Sequence, residues 1–184
     1  MTFITDKPPE LRRSRFPIAL LAEEVGQSLA EVVHGDAVWA VHAPDNPMVD
    51  ADRDQLFRVL SNLGRNALQA GATRVEVSAR STGERIVIDV ADNGPGLPPR
   101  ARERLFQPFS GSARPGSSGL GLAIARELMR AHGGDIRLVR STGEGSTFEL
   151  ELPEVGSQKT EVRTEAPVTV ADSPEATKVA TRAG

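Results

Sequence analysis

The sequence predicts an α+β domain, a two-layer sandwich in which a mostly antiparallel mixed sheet is covered on one face by helices. Three observations point there. Short runs rich in β-branched residues recur at hairpin spacing at 74–79 with 85–91, and at 136–139 with 146–152. Two longer stretches, through Leu20–Val32 and Leu56–Ala70, carry apolar residues at helical spacing. Helices and strands alternate only in part, which favours helices gathered on one side of a sheet over a doubly wound parallel fold.

The elements follow in chain order. Residues 1–15 hold Pro8, Pro9 and the basic run Arg12, Arg13, Arg15, and read as a solvated linker from an upstream segment. A short extended piece at 16–18 leads into a helix through Leu20, Leu21, Val25, Leu29 and Val32. Val38–Ala43 and Met48–Asp50 read as strands, interrupted by Pro44 and Pro47. Asp50 or Asp52 can cap a long helix to about Ala70, closed by Gly71, with Leu56, Leu60, Leu63, Ala67 and Ala70 as its apolar stripe. Arg74–Ala79 and Arg85–Ala91 pair through a turn at Thr82-Gly83. A short helix around Pro99–Phe106 precedes a Gly/Ser/Pro stretch at Ser110–Ser118, and a helix from Leu120 to His132 stops at Gly133-Gly134. Ile136–Val139 and Ser146–Leu152 form a last hairpin turning at Gly143. From 153 to 184 there is no Leu, Ile or aromatic residue, so that segment is expected to be a disordered tail, and the folded domain spans about 16–152.

Composition narrows the function classes. The 184 residues carry a net charge of −3, which gives no support for nucleic acid or an anionic membrane as partner. With no cysteine, disulfide staples, thiol nucleophiles and thiolate zinc sites are excluded. No apolar run approaches the ~18 residues of a membrane span, and Met1–Glu10 lacks a signal-peptide core. A soluble, cytoplasmic chain is expected.

Five short patterns carry chemistry. Asn62, Asn66 and Gln69 form a row beside the apolar stripe of the long helix. Amide oxygens there suit a hydrated magnesium ion, or simply face solvent. Asp92-Asn93-Gly94-Pro95-Gly96-Leu97 follows a strand: the carboxylate can accept from an amine and the glycines allow close backbone approach, although the same residues make a plain turn. Phe106-Gln107-Pro108-Phe109 is an aromatic pair fit for core or hinge. Gly119-Leu120-Gly121-Leu122 frees backbone N–H groups at a helix start, without the Lys-Ser/Thr of a Walker loop or the Rossmann glycine spacing. Gly143-Glu144-Gly145-Ser146-Thr147-Phe148 enters the final strand through a turn.

In this order and spacing the five patterns closely resemble the ATP-binding catalytic domain of sensor histidine kinases. That domain belongs to the superfamily shared with gyrase, a chaperone ATPase and a mismatch-repair ATPase. The resemblance covers about 16–152 and implies ATP and Mg2+ as ligands. By it, Asn66 would bind the metal, Asn62 would support the phosphate side, and Asp92 would take the exocyclic amine of adenine. Gly94 and Gly96 would pass beside the base, and Thr147 would sit on a strand behind it. Residues 110–118 would be a short lid, with Gly119 and Gly121 at its hinge, Leu120 and Leu122 beside them among the nucleotide-binding residues, and Arg114 on the γ-phosphate. Gln69 stands where the family often has a basic residue, which leaves that phosphate contact missing or supplied by Arg65.

Asn62 also bears on the reaction. Hydrolysing members usually have a glutamate at that position to activate water, and an amide cannot act as that base. The chain is therefore expected to hold ATP for transfer. None of His34, His42 and His132 has the acidic neighbour of a phosphoacceptor, so each is expected to be structural and the chain itself supplies no certain catalytic residue. The implied partners are a histidine-bearing dimerisation segment, absent from this chain, and a response regulator, with no nucleic acid or membrane contact. The isolated segment is expected to be monomeric, whether or not its parent kinase is membrane-anchored. A nucleotide-regulated ATPase switch or docking module of the same superfamily is the alternative.

Overall fold

The computed structural model describes residues 10–32, 36–109 and 119–154. Its elements are β1 (Arg13–Pro17), α1 (Ile18–Val32), β2 (Val38–His42), β3 (Met48–Asp52), α2 (Arg53–Gln69), β4 (Arg74–Ser81), β5 (Arg85–Asp92), α3 (Pro99–Glu103), α4 (Gly121–Ala131), β6 (Asp135–Thr142) and β7 (Gly145–Pro153). A five-stranded sheet has the order β2-β4-β5-β7-β6. Only its β2–β4 pair is parallel, so the mixed, mostly antiparallel sheet expected from the sequence is the one observed.

Strand alternation divides the two faces. Val75, Val77, Ile86, Ile88, Val90, Phe148, Leu150 and Leu152 are buried against the helical layer, together with Leu21, Val25, Leu56, Leu60 and Met129. On the opposite face Arg80 pairs with Asp89 and Glu149, and Arg137 with Glu149 and Glu151. Flanked by arginines on both sides, the directly opposed carboxylates Asp89 and Glu149 avoid the repulsion that like charges at that position would otherwise produce.

Helix α2 lies between α1 and α4. Asp52 is its N-cap, accepting from Gln55 N at 3.2 Å, and Gly71 at φ +100 follows its end. Trp39, on the edge strand β2, reaches across α1 and α2 and donates Nε1–H to Ala22 O at 2.9 Å. Gly26 and Gly64 make room for its ring: a Cβ at either would come within 2.3 and 2.6 Å of indole atoms.

Three differences from the sequence reading are informative. β1 starts at Arg13, inside the stretch expected to be linker, because Arg13–Pro17 pairs with β3 in a separate two-stranded sheet from Arg13↔Asp52 to Pro17↔Met48. Of its residues only Phe16 is buried, so the strand shows almost no apolar period. α3 ends at Glu103, short of Phe106. β6 runs on to Thr142, past an irregularity between Leu138 and Arg140. The linker at 1–9, His34, the 110–118 segment and all but the first residues of the expected tail lie outside the described residues. Among the described residues no helix is long and apolar enough to cross a membrane.

Candidate functional site

A cavity of about 250 Å³ opens between α2 and α4, floored by the ends of β5 and β7 and walled by residues 95–105. Leu63, Ala67, Leu122 and Phe148 make it largely apolar, and Asn66, Gln69, Asp92 and Ser146 bring polar groups to it. That mixture suits a flat ligand with a polar edge. Asp92 is the one titratable group among the described lining residues.

The end of β5 positions Asp92. Its Oδ1 accepts from Gly94 N at 2.8 Å in a tight local turn, while Oδ2 takes no hydrogen bond from the described residues and is left for a ligand donor. Asn93 points away from the cavity: its Oδ1 accepts from Thr73 N and Arg74 N, both at 2.9 Å, and its Nδ2 donates to Thr73 Oγ1. Two close approaches then require glycine. A Cβ on Gly145, at φ +138, would lie 1.9 Å from Asp92 O, and one on Gly96, at φ +72, would lie 2.0 Å from Thr142 O.

Asn66 is half-buried on α2 and lines the cavity beside Gln69 and Ala70. Asn62 has a different place. It is not on the lining, and its Nδ2 donates to Gly121 O at 3.3 Å, tying α2 to the first residue of α4. Gly119, at φ +66, Gly121 and Leu122 border the opening, and among the described residues no side chain caps the start of α4, which makes its first-turn N–H groups candidates for a ligand. Phe109 N donates to Gly119 O at 3.2 Å, which brings the two ends of segment 110–118 together. Phe106 lies 4.8 Å beneath the Arg126 guanidinium, itself paired with Asp135 at 3.0 Å.

Of the sequence candidates, Asn66, Asp92, Gly96, Gly119, Gly121 and Leu122 meet at this cavity. Gly94 is buried behind Asp92, Leu120 is the N-cap of α4, and Asn62 is the interhelix tie. Arg114 lies outside the described residues, and Arg65 is exposed and away from the lining. Thr147 is on a bordering strand but off the lining; Ser146 and Phe148 line it instead, because side chains alternate along β7. Ser146 sits directly opposite Asp92 in the β5–β7 ladder. The sequence signal for it was the two-residue step back from Phe148. His132 is structural: 2% exposed, it accepts at Nε2 from Asp52 N at 3.0 Å, which puts its proton on Nδ1, facing Leu128 O at 2.6 Å.

A metal is implied by the resemblance, and the donors fit a hydrated ion. Among the described residues no three His, Cys, Asp or Glu side chains gather, so an ion at Asn66 would draw its other oxygens from phosphate and water, as magnesium does.

Comparison with known proteins gives the family and the fold. The family model described as "Histidine kinase-, DNA gyrase B-, and HSP90-like ATPase" matches residues 51–156. The alginate biosynthesis sensor protein KinB of Pseudomonas aeruginosa is 38% identical, over 58% of this chain and 18% of its own length. The nitrogen regulation protein NtrY of Azorhizobium caulinodans is 35% identical over 75% of this chain and 19% of its own. For the sensor-like histidine kinase SenX3 of Mycobacterium tuberculosis the values are 35%, 73% and 34%. The chain thus spans about a fifth to a third of the length of these curated relatives. The solved catalytic domain of histidine kinase ThkA superposes with a TM-score of 0.69 at 25% identity, covering 77% of this chain and 95% of that one. Full-length ShkA in complex with AMPPNP superposes at 0.67 with 33% identity, covering 79% and 32%. The chain belongs to the histidine kinase-, DNA gyrase B- and HSP90-like ATPase family, as an ATP-binding catalytic domain of the sensor histidine kinase type.

Proposed function

We propose that this domain binds ATP with Mg2+ in the α2–α4 cavity and donates the γ-phosphoryl group to a histidine on a dimerisation segment, from which a response regulator receives it. The observation that carries the reading is Asp92, held through one oxygen at the bottom of an apolar slot with the other oxygen open. A purine slides between the apolar walls, and its exocyclic amine donates to Asp92 Oδ2. The relative crystallised with AMPPNP supports a nucleotide as the ligand.

The phosphates then lie toward Gly119 and Gly121, where the uncapped N–H groups of α4 and its positive dipole end favour negative charge. Asn66 would hold the magnesium ion, which supplies charge neutralisation of the phosphates. Arg114 is the candidate for the γ-phosphate. Transfer needs little covalent chemistry from this chain: the acceptor imidazole attacks phosphorus in line, the N–P bond forms, and ADP leaves with the bridging oxygen. The imidazole proton passes to the acidic group beside the acceptor histidine. Asn62 supports transfer over hydrolysis, since its amide is engaged with Gly121 O and offers no base for water.

Calorimetric titration of ADP and AMPPNP, with and without Mg2+, tests the site. Asp92→Asn removes a charge-assisted acceptor, so affinity falls roughly 10- to 100-fold. Asn66→Ala removes the part of the affinity that depends on Mg2+. A folded wild-type chain that binds neither nucleotide overturns the reading. Transfer is tested by supplying a histidine-bearing dimerisation segment with γ-labelled ATP; an acid-labile label on that segment is the expected product.

A further inference from the structure

The wall of the cavity from Asp92 to Pro98 has no regular secondary structure beyond the end of β5, so something else must hold it. On the β4 side Asn93 does so. On the side of the β6–β7 hairpin, the Gly145 and Gly96 contacts are steric, and among the described residues one side-chain hydrogen bond holds the wall. Leu97 N donates to Ser141 Oγ at 2.8 Å. The same oxygen lies 3.0 Å from Ser146 Oγ, whose residue is 5% exposed and lines the cavity.

Register explains how these groups meet. Asp92 is paired with Ser146 across β5–β7, and Ser146 with Ser141 across β7–β6, so three polar side chains form one row across three strands. Simple alternation would not have produced that row. Leu138 pairs with Phe148 and shares its inward face, and two-residue steps from Leu138 would leave Ser141 facing outward. The register shift at Val139 adds one residue to β6, so Arg140 opposes Thr147 and Ser141 opposes Ser146. A bulge of this kind re-aims the side chains that follow it.

We propose that Ser141, turned inward by the bulge at Val139, is a positioning residue for nucleobase recognition. It acts through Leu97 and Ser146, fixing the wall of the slot and the Ser146 hydroxyl in register with Asp92. One lone pair of Ser141 Oγ is used by Leu97 N–H, and its remaining proton or lone pair sets the direction of the Ser146 hydroxyl. The inference rests on the reading that Asp92 meets the base. An acceptor at Asp92 favours adenine, which offers an amine there, over guanine, which offers a carbonyl oxygen; that preference holds only while the slot keeps its register.

The test is calorimetry of the full chain with ADP and with GDP, for wild type, Ser141→Ala, Ser141→Thr and Ser146→Ala, with melting temperatures recorded alongside. Ser141→Ala is expected to weaken ADP binding about tenfold and to narrow the ADP-over-GDP preference. Ser141→Thr, which keeps the hydroxyl, restores both. A lowered melting temperature with unchanged affinity and preference assigns Ser141 a structural role only and overturns the proposal. So does a Ser141→Thr variant as impaired as Ser141→Ala. Should Ser141→Ala not fold, Ser141→Cys keeps the volume, accepts hydrogen bonds weakly, and is read in the same way. Failure of the wild type to bind ADP would sink the nucleotide site itself, whereas wild-type binding with an indifferent Ser141→Ala would sink only the positioning role.

Discussion

Two glycines in one turn should respond very differently to the same methyl group. Gly145 sits at φ +138, and a Cβ there would lie 1.9 Å from Asp92 O, 2.9 Å from Asp92 C and 3.2 Å from Asn93 Cα. All three are backbone atoms, so no side-chain rotation relieves the contact. Ordinary carbon–oxygen contact needs well over 3 Å, roughly 1 Å more than is available even after local relaxation. Gly145→Ala therefore combines a strained backbone, about 1–3 kcal/mol, with overpacking of about 1–3 kcal/mol. A total near 4 kcal/mol corresponds to a fall in melting temperature of roughly 8–16 °C for a domain of this size. Because the displaced atoms belong to Asp92, the folded fraction should also bind ADP at least tenfold more weakly, although Gly145 does not line the cavity. Gly143, two residues earlier, has nothing within 4 Å and no positive φ. Gly143→Ala should lie within about 0.5 kcal/mol of wild type. Thermal melts and ADP titrations of the two variants decide the matter. A Gly145→Ala protein melting within 2 °C, by that ~4 kcal/mol scale, or a Gly143→Ala protein equally impaired, would refute the steric argument.

Two further perturbations address the scaffold. His132→Phe keeps an aromatic ring, of somewhat larger volume, but leaves Asp52 N–H without its acceptor, and should cost about 1–3 kcal/mol in urea denaturation followed by Trp39 fluorescence; His132→Gln, which can still accept, should cost at most half of that, and equal losses would exclude the hydrogen bond as the cause. The Asp52 carboxyl is also pH-dependent. Burial is the largest single influence and pushes its pKa up, but hydrogen bonds from Arg12 N and Gln55 N, with help from Asp54 N, bring it below the ordinary carboxylate value. A depressed folded-state pKa contributes stability that is complete above the unfolded value, near 4, and is lost as pH falls through the lower folded value. Wild-type stability should therefore drop between about pH 5 and pH 2 more steeply than that of Asp52→Asn, which keeps the cap; superimposed acid limbs would remove Asp52 from the account.

Much of the domain was legible in the sequence because local physics determined it. The apolar stripe of α2, its cap at Asp52, its stop before Gly71 and the alternating runs of β4, β5 and β7 all follow from periods and punctuation within a few residues. Asn66, Asp92, Gly96, Gly119 and Gly121, which line the cavity, were legible as candidates only as an ordered set, since each residue type also serves as a turn, a cap or a solvent-facing position. The first part of β1 was missed because Arg13-Ser14-Arg15 offers no apolar period, and its pairing partner is about 35 residues away by the ladder from Arg13↔Asp52 to Pro17↔Met48.

Tertiary structure alone decided the rest. Strand order brought Ser146 opposite Asp92, and the alternation of β7 excluded Thr147 from the lining. Helix packing set the Asn62 amide against Gly121 O, so that it ties α2 to the start of α4. One extra residue at Val139 turned Ser141 inward, a change that no period within β6 reveals because it depends on which residue of β7 lies opposite. Propensity, capping and apolar period act over a few neighbouring residues, and they were enough for most of the helices and strands and for the set of side chains chemically able to meet a nucleotide. Which of those side chains share one cavity depended on register between strands far apart in the chain, and register is set by the packing of the whole sheet against its helices.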